Sequence, residues 1–410
     1  MKKINHLISA LIMAAMTAGF ASCSSSDEPS SVSDNTPKEL TITIKTQGVN
    51  TKAAASGNDP GASAENTMNR ITIGIFDQSG TTVRAIQEFA ATSDNNKVGA
   101  GKNYFLNTTN GTATITVVTT QMSNNDKILV AVNAPAKHFA GVSNVTDFKA
   151  KQLTADQALY RDKTDVIQSS GSAVNNNIPM FGESTTITNG TSGITYSATI
   201  PVKHLTAKVT LDELKVDFAA DGPYSAATFT PTEIFMYNVP NGVKFDTSDQ
   251  CSSGTFLDGE TTATPQSANL KAYLSSGVIS SSPALSGTSS GGSSTFGTDY
   301  FFYVTPNNKT SGDITKLVIK GDFDPDGAGS TSATTVYYPV KLNYNVKEDG
   351  STGAVSGTAY VVSPNKNYKC KVTIKTIGST GPNADIDPTT AEITINVADF
   401  DPVSQETVFQ

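Results

Sequence analysis

The sequence alternates apolar and polar residues with a period of two almost everywhere it is apolar at all. Leu40-Thr41-Ile42-Thr43-Ile44 is the cleanest case. In a β-strand successive side chains point to opposite faces, so this period marks strands with one buried face. The same pattern predicts strands at Ile71–Phe76, Ala113–Val117, Ile128–Val132, Ser197–Val202 and Ala207–Leu211. Further on it predicts Glu233–Tyr237, Tyr300–Val304, Lys316–Ile319, Thr335–Leu342, Tyr368–Ile374 and Ala391–Val397. Many short strands separated by Gly, Asn, Ser and Asp turns give an all-β chain of sandwiches, not a doubly wound α/β sheet. One stretch, Thr154 to Tyr160, reads as helix with Thr154 as N-cap. The Ser/Gly-rich run from Ser275 to Thr298 is expected to be a mobile loop outside any core. A domain boundary is expected between Thr199 and His204, where one alternating run gives way to the next.

The N-terminus has another character. Met1-Lys2-Lys3 is followed by an apolar run from Leu7 to Ala21 and then Cys23. A basic start, a short apolar core and small residues before a cut site make a secretory signal. The run is too short and interrupted to cross ~30 Å of hydrocarbon as a permanent helix. Ala21-Ser22-Cys23 resembles a bacterial lipobox, with Phe20 where Leu is usual. That resemblance implies that Cys23 is acylated and becomes the first residue. Ser24-Ser25-Ser26-Asp27-Glu28-Pro29 then reads as a polar tether.

Composition narrows the function. The 410 residues carry a formal charge of -8, and the mature chain loses Lys2 and Lys3 besides. No basic stripe is present to neutralise phosphates, so nucleic acid is not an expected partner. Of three Cys, Cys251 and Cys370 remain after Cys23, far apart and without metal-site spacing. They are expected as free thiols, with a disulfide as the alternative. His138 and His204 alone remain after the signal, too few for most metal or Ser-His-Asp chemistry. No cofactor, metal or enzymatic activity is expected. Asp322-Phe323-Asp324-Pro325-Asp326-Gly327 starts like a calcium loop, but Ala333 stands where the bidentate Glu belongs. It reads as an acidic turn.

Four segments, taken in order, resemble the fimbrillins, the FimA-type subunits of type V pili. They are Leu40 to Thr46 with Lys52 in the loop beyond it, Met68 to Phe76, Ile178-Pro-Met-Phe-Gly-Glu183 with Pro201 to Val209, and Asn367 to Ile374 with Ala391 to Phe400. No single motif is specific, and the order carries the resemblance. It implies an all-β fold of two transthyretin-like β-sandwich domains behind a lipoprotein signal peptide. The expected segments are 1-22 (signal), 23-52 (propeptide with the first strand), 53-200 and 201-410 (the two sandwiches). It also implies an outer-membrane lipoprotein precursor that becomes a stalk subunit of a cell-surface fimbrium.

The resemblance also implies proteolytic removal of the first strand at the cell surface, and strand physics shows how an assembly could then form. Leu40, Ile42 and Ile44 plug a groove from within the same chain. A trypsin-like protease cuts the following loop at Lys52-Ala53, with Arg70-Ile71 as second choice. The freed strand is replaced by the tail of another copy, through Val403, Gln405, Thr407 and Phe409. Adding a strand to an open edge is β-augmentation, and a head-to-tail contact that does not close gives a filament. Minor and anchor fimbrial subunits are further expected partners, and the membrane is met only through the lipid on Cys23. The alternative function is a minor or tip fimbrial adhesin or a glycan-binding surface lipoprotein.

Overall fold

A computed structural model describes residues 36–46, 65–90, 104–107, 111–159, 177–191, 193–246, 254–263, 273–287, 293–297, 300–329, 333–346, 352–384 and 391–399. The first strands are β1 (Lys38–Thr46), β2 (Arg70–Phe76), β3 (Val83–Ala90), β4 (Tyr104–Asn107), β5 (Thr112–Thr119) and β6 (Lys127–Val132). Helix α1 (Val145–Ala150), β7 (Gln152–Leu153) and helix α2 (Ala155–Leu159) follow. Then come β8 (Met180–Ser184), β9 (Thr188–Asn189) and β10 (Thr195–His204). After residues 205 and 206 the chain continues with β11 (Ala207–Val216), β12 (Thr228–Pro240), β13 (Val243–Lys244), β14 (Phe256–Asp258), β15 (Leu285–Ser286) and β16 (Thr295–Phe296). It ends with β17 (Tyr300–Val304), β18 (Lys316–Asp324), β19 (Thr334–Lys341), β20 (Tyr344–Val346), β21 (Thr352–Ala354), β22 (Lys366–Ile374) and β23 (Ala391–Asp399).

The first sheet runs β3-β2-β6-β8-β10-β1-β5-β4, with β9 beside β10. It folds over on itself because β10 serves two layers. Thr195 to Val202 pair with β1, whereas Lys203 and His204 pair with β8. A strand that switches layers makes the corner of a sandwich. Side-chain bonds help close the far seam, from Gln87 Nε2 to the Val118 carbonyl at 3.4 Å and from Thr119 Oγ1 to the Arg84 carbonyl at 3.4 Å. Between the layers, Ile71, Ile73 and Ile75 of β2 and Ile128, Val130 and Val132 of β6 meet the inward faces of β1, β5 and β10. The opposite face of β2 is buried under α1, where Phe148 packs edge-on to Phe76 at 6.0 Å. Gly74 allows this, since a Cβ there would lie 2.7 Å from the Phe76 ring and 3.0 Å from Phe148.

The later strands make a second sandwich. One layer is β16-β11-β22-β23-β20-β21 with β17 on β11, and the other is β14-β12-β18-β19 with β15 on β12. Val209, Leu211, Tyr368, Cys370 and Val372 face Ile234, Met236, Leu317, Ile319 and Tyr338 across one core. β11 and β22 are parallel neighbours.

Every strand that the alternation predicts is present, most of them longer. The helix after Thr154 forms as well. Gln157 N–H donates to Thr154 Oγ1 at 3.3 Å and Thr154 N–H to Gln157 Oε1 at 3.1 Å, a reciprocal cap. Alternation did not reveal α1, which is one and a half turns long and starts from an Asn144 side-chain cap on Asp147 N–H. The acidic segment closes its own turn: Asp324 Oδ2 accepts from Gly329 N–H at 2.9 Å and Asp326 Oδ1 from Ala328 N–H at 3.0 Å.

The Ser/Gly-rich run corrects the expectation of a mobile loop. It contains β15 and β16, and Leu285 is fully buried while Phe296 is nearly so. Ser275 bridges Phe235, and Ser276 N–H donates to the Ile234 carbonyl. Averaged composition hides isolated apolar residues spaced widely enough to plug a core one at a time. Leu285→Ala should therefore destabilise the chain by about 2–5 kcal/mol. A shift in the urea midpoint measures it, and a change of only about 0.5 kcal/mol, as at a surface site, would return Leu285 to a solvated loop.

Candidate functional site

β1 is an interior strand. On one side it runs parallel to β10, from Glu39 opposite Thr195 to Thr46 opposite Val202. On the other it is antiparallel to β5, with Leu40 opposite Val117, Ile42 opposite Ile115 and Ile44 opposite Ala113. Leu40, Ile42 and Ile44 have no exposed surface. Thr41 is exposed and Thr43 half-buried on the other face, among Thr114, Thr116, Ser197 and Thr199. Burying the three aliphatic side chains contributes on the order of 5–9 kcal/mol, at ~1.5–3 kcal/mol each. Both backbone edges of β1 are also hydrogen-bonded. Without β1, β5 and β10 would each present a row of unpaired N–H and C=O groups along an apolar trough.

The chain leaves β1 and returns at one point. Thr46 N–H donates to the Gly111 carbonyl at 2.9 Å, and Thr46 Oγ1 lies 3.3 Å from the same oxygen. A Cβ on Gly111 would collide with Thr46 Oγ1 and stand 3.0 Å from the Cβ of Asn66. Gly111 also has φ of +58°, which favours glycine. Thr46 and Asn66 thus lie against the same glycine.

Of the residues singled out from sequence, Leu40, Ile42 and Ile44 lie together in this slot. Lys52 and Ala53, Cys23, Cys251, and Val403, Gln405, Thr407 and Phe409 lie outside the described residues. Arg70 opens β2 and donates from Nη1 to Glu88 Oε1 at 2.5 Å, while Ile71 is fully buried between β3 and β6. Cys370 is a free thiol in the second core, and burial pushes its pKa up.

Sequence reasoning missed a buried polar cluster beside the return point. The Glu65 carboxylate meets Lys208 Nζ of β11 at 3.0 Å, and Tyr303 of β17 donates its hydroxyl to the same oxygen. All three side chains are almost wholly buried. Lys208 Nζ sits 5.3 Å from the centre of the Phe301 ring. The Glu65 carbonyl accepts from His204 Nε2 at 3.1 Å, and His204 Nδ1 lies 3.1 Å from Asn365 Oδ1. Burial pushes the His204 pKa down from 6.5 to about 4, with the Lys208 charge acting in the same direction. A lysine that follows Ala207 in an alternating strand reads as solvated, and nothing local marks it as paired with residue 65.

No model of a known protein family matches the sequence, and no curated protein matches it either. Solved structures do match, and they share an all-β sandwich fold with this chain. A fimbrilin, FimA, of Porphyromonas gingivalis aligns with a TM-score of 0.55 over 90% of this chain and 99% of its own, at 16% identity. A protein of Bacteroides eggerthii assigned to cell adhesion aligns at 0.55 over 88% of this chain and 96% of its own, at 20% identity. Another so assigned, from Parabacteroides distasonis, aligns at 0.56 over 90% and 99%, at 17% identity.

The His204 geometry gives a pH signature. The folded pKa lies below the unfolded one, so on acidification the unfolded chain takes up the proton first. Stability should fall between about pH 6.5 and about pH 4, by roughly 3 kcal/mol from this group, and show no further loss from it below. Urea titrations across that range should show a steep decline that His204→Gln flattens. Parallel curves for the two proteins would remove His204 as the cause.

Proposed function

We propose that the chain is a structural stalk subunit of a type V fimbria, a surface pilus that supports adhesion. The observation that carries this reading is β1, an interior strand whose apolar face is wholly buried and whose last residue, Thr46, lies with Asn66 against the same glycine. Such a strand is replaceable by another of equal pattern once the covalent link is opened. The fold shared with the P. gingivalis fimbrilin supports the same reading.

In this proposal the chain is exported as a lipoprotein through Cys23, with residues 1-22 removed. It reaches the outer membrane as a monomer plugged by its own β1. A trypsin-like protease cuts at Lys52-Ala53. This site is favoured over Arg70-Ile71, whose second residue is buried within the sheet. Lipid and plug then leave together in residues 23-52. The tail carrying Val403, Gln405, Thr407 and Phe409 fills the vacated slot of the next copy. Residues 53-200 and 201-410 act as the receiving and donating sandwiches. Minor and anchor subunits complete the fimbria, and no catalysis is involved.

Physically, the slot demands a donor with alternate apolar side chains, since the inward positions at Leu40, Ile42 and Ile44 admit no water. It also demands backbone pairing on both edges, which gives the donor its register. Two tests follow. Limited trypsin treatment of the purified precursor should convert monomer into a polymer ladder on non-denaturing gels, with a new N-terminus at Ala53. A chain that is cut there yet stays monomeric sinks the mechanism. Deleting Val403 to Gln410 should leave a folded monomer that no longer polymerises after cutting; continued polymerisation would place the donor elsewhere.

A further inference from the structure

We infer that the buried Glu65–Lys208–Tyr303 cluster anchors the chain end created when β1 is lost, so that release of β1 stops at Glu65 and does not unravel β2. The inference rests on the proposed removal of β1. It concerns a separate set of contacts.

The two sides of the stretch 47–64 are held by different means. Upstream, β1 is fixed mainly by its ladder bonds and by three aliphatic side chains in a trough, with Thr46 tied besides to the Gly111 carbonyl and Lys38 to the Met122 carbonyl. Downstream, Glu65 to Asn69 belong to no strand, so no ladder fixes them. Polar ties hold them instead. Glu65 is bound through its carboxylate to Lys208 and Tyr303 and through its carbonyl to His204. Asn133 Nδ2 donates to the Thr67 carbonyl at 2.8 Å, and Asn69 N–H donates to Asn133 Oδ1 at 2.8 Å. Asn69 Nδ2 reaches Asn177 Oδ1 at 3.3 Å, and Met68 is fully buried. Gly111 is the point at which both sides touch.

A buried ion pair is a poor way to gain stability, because desolvating two charges offsets most of their attraction. It is a good way to fix one position, because a displaced carboxylate would leave a buried ammonium uncompensated. The position fixed here is the lead-in to β2, a central strand between β3 and β6. Fraying from a new chain end would run straight into β2, whose Ile71, Ile73 and Ile75 form the floor beneath the β1 slot. Glu65 stops that fraying at the point where it would start. The two partners of the Glu65 carboxylate, Lys208 and Tyr303, lie on β11 and β17, outside the sheet that loses β1, and only the His204 tie lies on β10 within it.

The test places the recognition site of a sequence-specific protease between Ser56 and Ser63 of the full chain. Amide hydrogen exchange of residues 66–76 is then followed in cut and uncut protein. In the wild type, cutting should leave protection of these amides unchanged. Glu65→Gln should lower it moderately when the chain is uncut, because the intact connection to β1 still restrains Glu65. After cutting, the loss should deepen by about tenfold or more. Tyr303→Phe, which removes one bond to Glu65 without unpairing Lys208, should show the same dependence on cutting with smaller size, and serves if Glu65→Gln does not fold. Equal effects in cut and uncut chains overturn the inference, as does fraying of residues 66–76 in the cut wild type. The readout needs no polymer. Failure of assembly with the cut-dependent effect present would overturn the pilus mechanism and leave the anchor standing.

Discussion

The first sandwich depends on one strand being paired along both of its edges. β1 lies between a parallel and an antiparallel neighbour, and it supplies three of the aliphatic side chains that separate the two layers. Its neighbours depend on it for both kinds of satisfaction. Among the described residues, β5 has only the short β4 on its other side, and β10 has β8 and β9 over a few residues. The layer is continuous from β10 to β5 because β1 is there. A strand at a sheet edge can be lost with little consequence; an interior strand leaves a gap of two open edges and a trough, which only another strand fills.

The strand and its buried face were legible in the sequence, but its place between β10 and β5 was not. Leu40 to Ile44 alternates without a break because one face is buried and the other is covered by hydroxyls, and the register is fixed by which face is apolar. β2 was legible for a related reason, although its outer face is buried too, under Phe148. There Gly74 makes room for the Phe148 ring, at a position that an alternating reading takes as polar, and Thr72 on the same face is buried as well. The Ser275 to Thr298 run misled for the converse reason. Its apolar residues are isolated, so no period exists to detect, yet Leu285 contributes to the second core as fully as any strand residue.

The Glu65 cluster was illegible because its members come from four separate places. Residue 65 precedes a strand, 204 and 208 flank a turn, 303 lies in a near-continuous apolar strand and 365 closes a loop. Each has an ordinary local reading, and only the fold brings them together. His204 is the instructive case. From sequence it lacked a partner for metal or catalytic chemistry; in the fold its Nε2 donates to a backbone carbonyl and its Nδ1 lies beside the Asn365 carboxamide, with burial keeping it neutral near Lys208.

The two kinds of attachment on either side of residues 47–64 answer different physical demands. Ladder bonds with alternating aliphatic contacts are generic: any strand of suitable pattern can form them, so they suit a segment to be exchanged. A buried carboxylate shared by an ammonium and a phenol is particular to one residue in one place, so it suits a segment to be kept. β2 has its own ladders to β3 and β6, so the polar ties ahead of it act on its lead-in and not on the strand itself. On the proposed removal of β1, the asymmetry across Gly111 would confine the loss to the segment before Glu65.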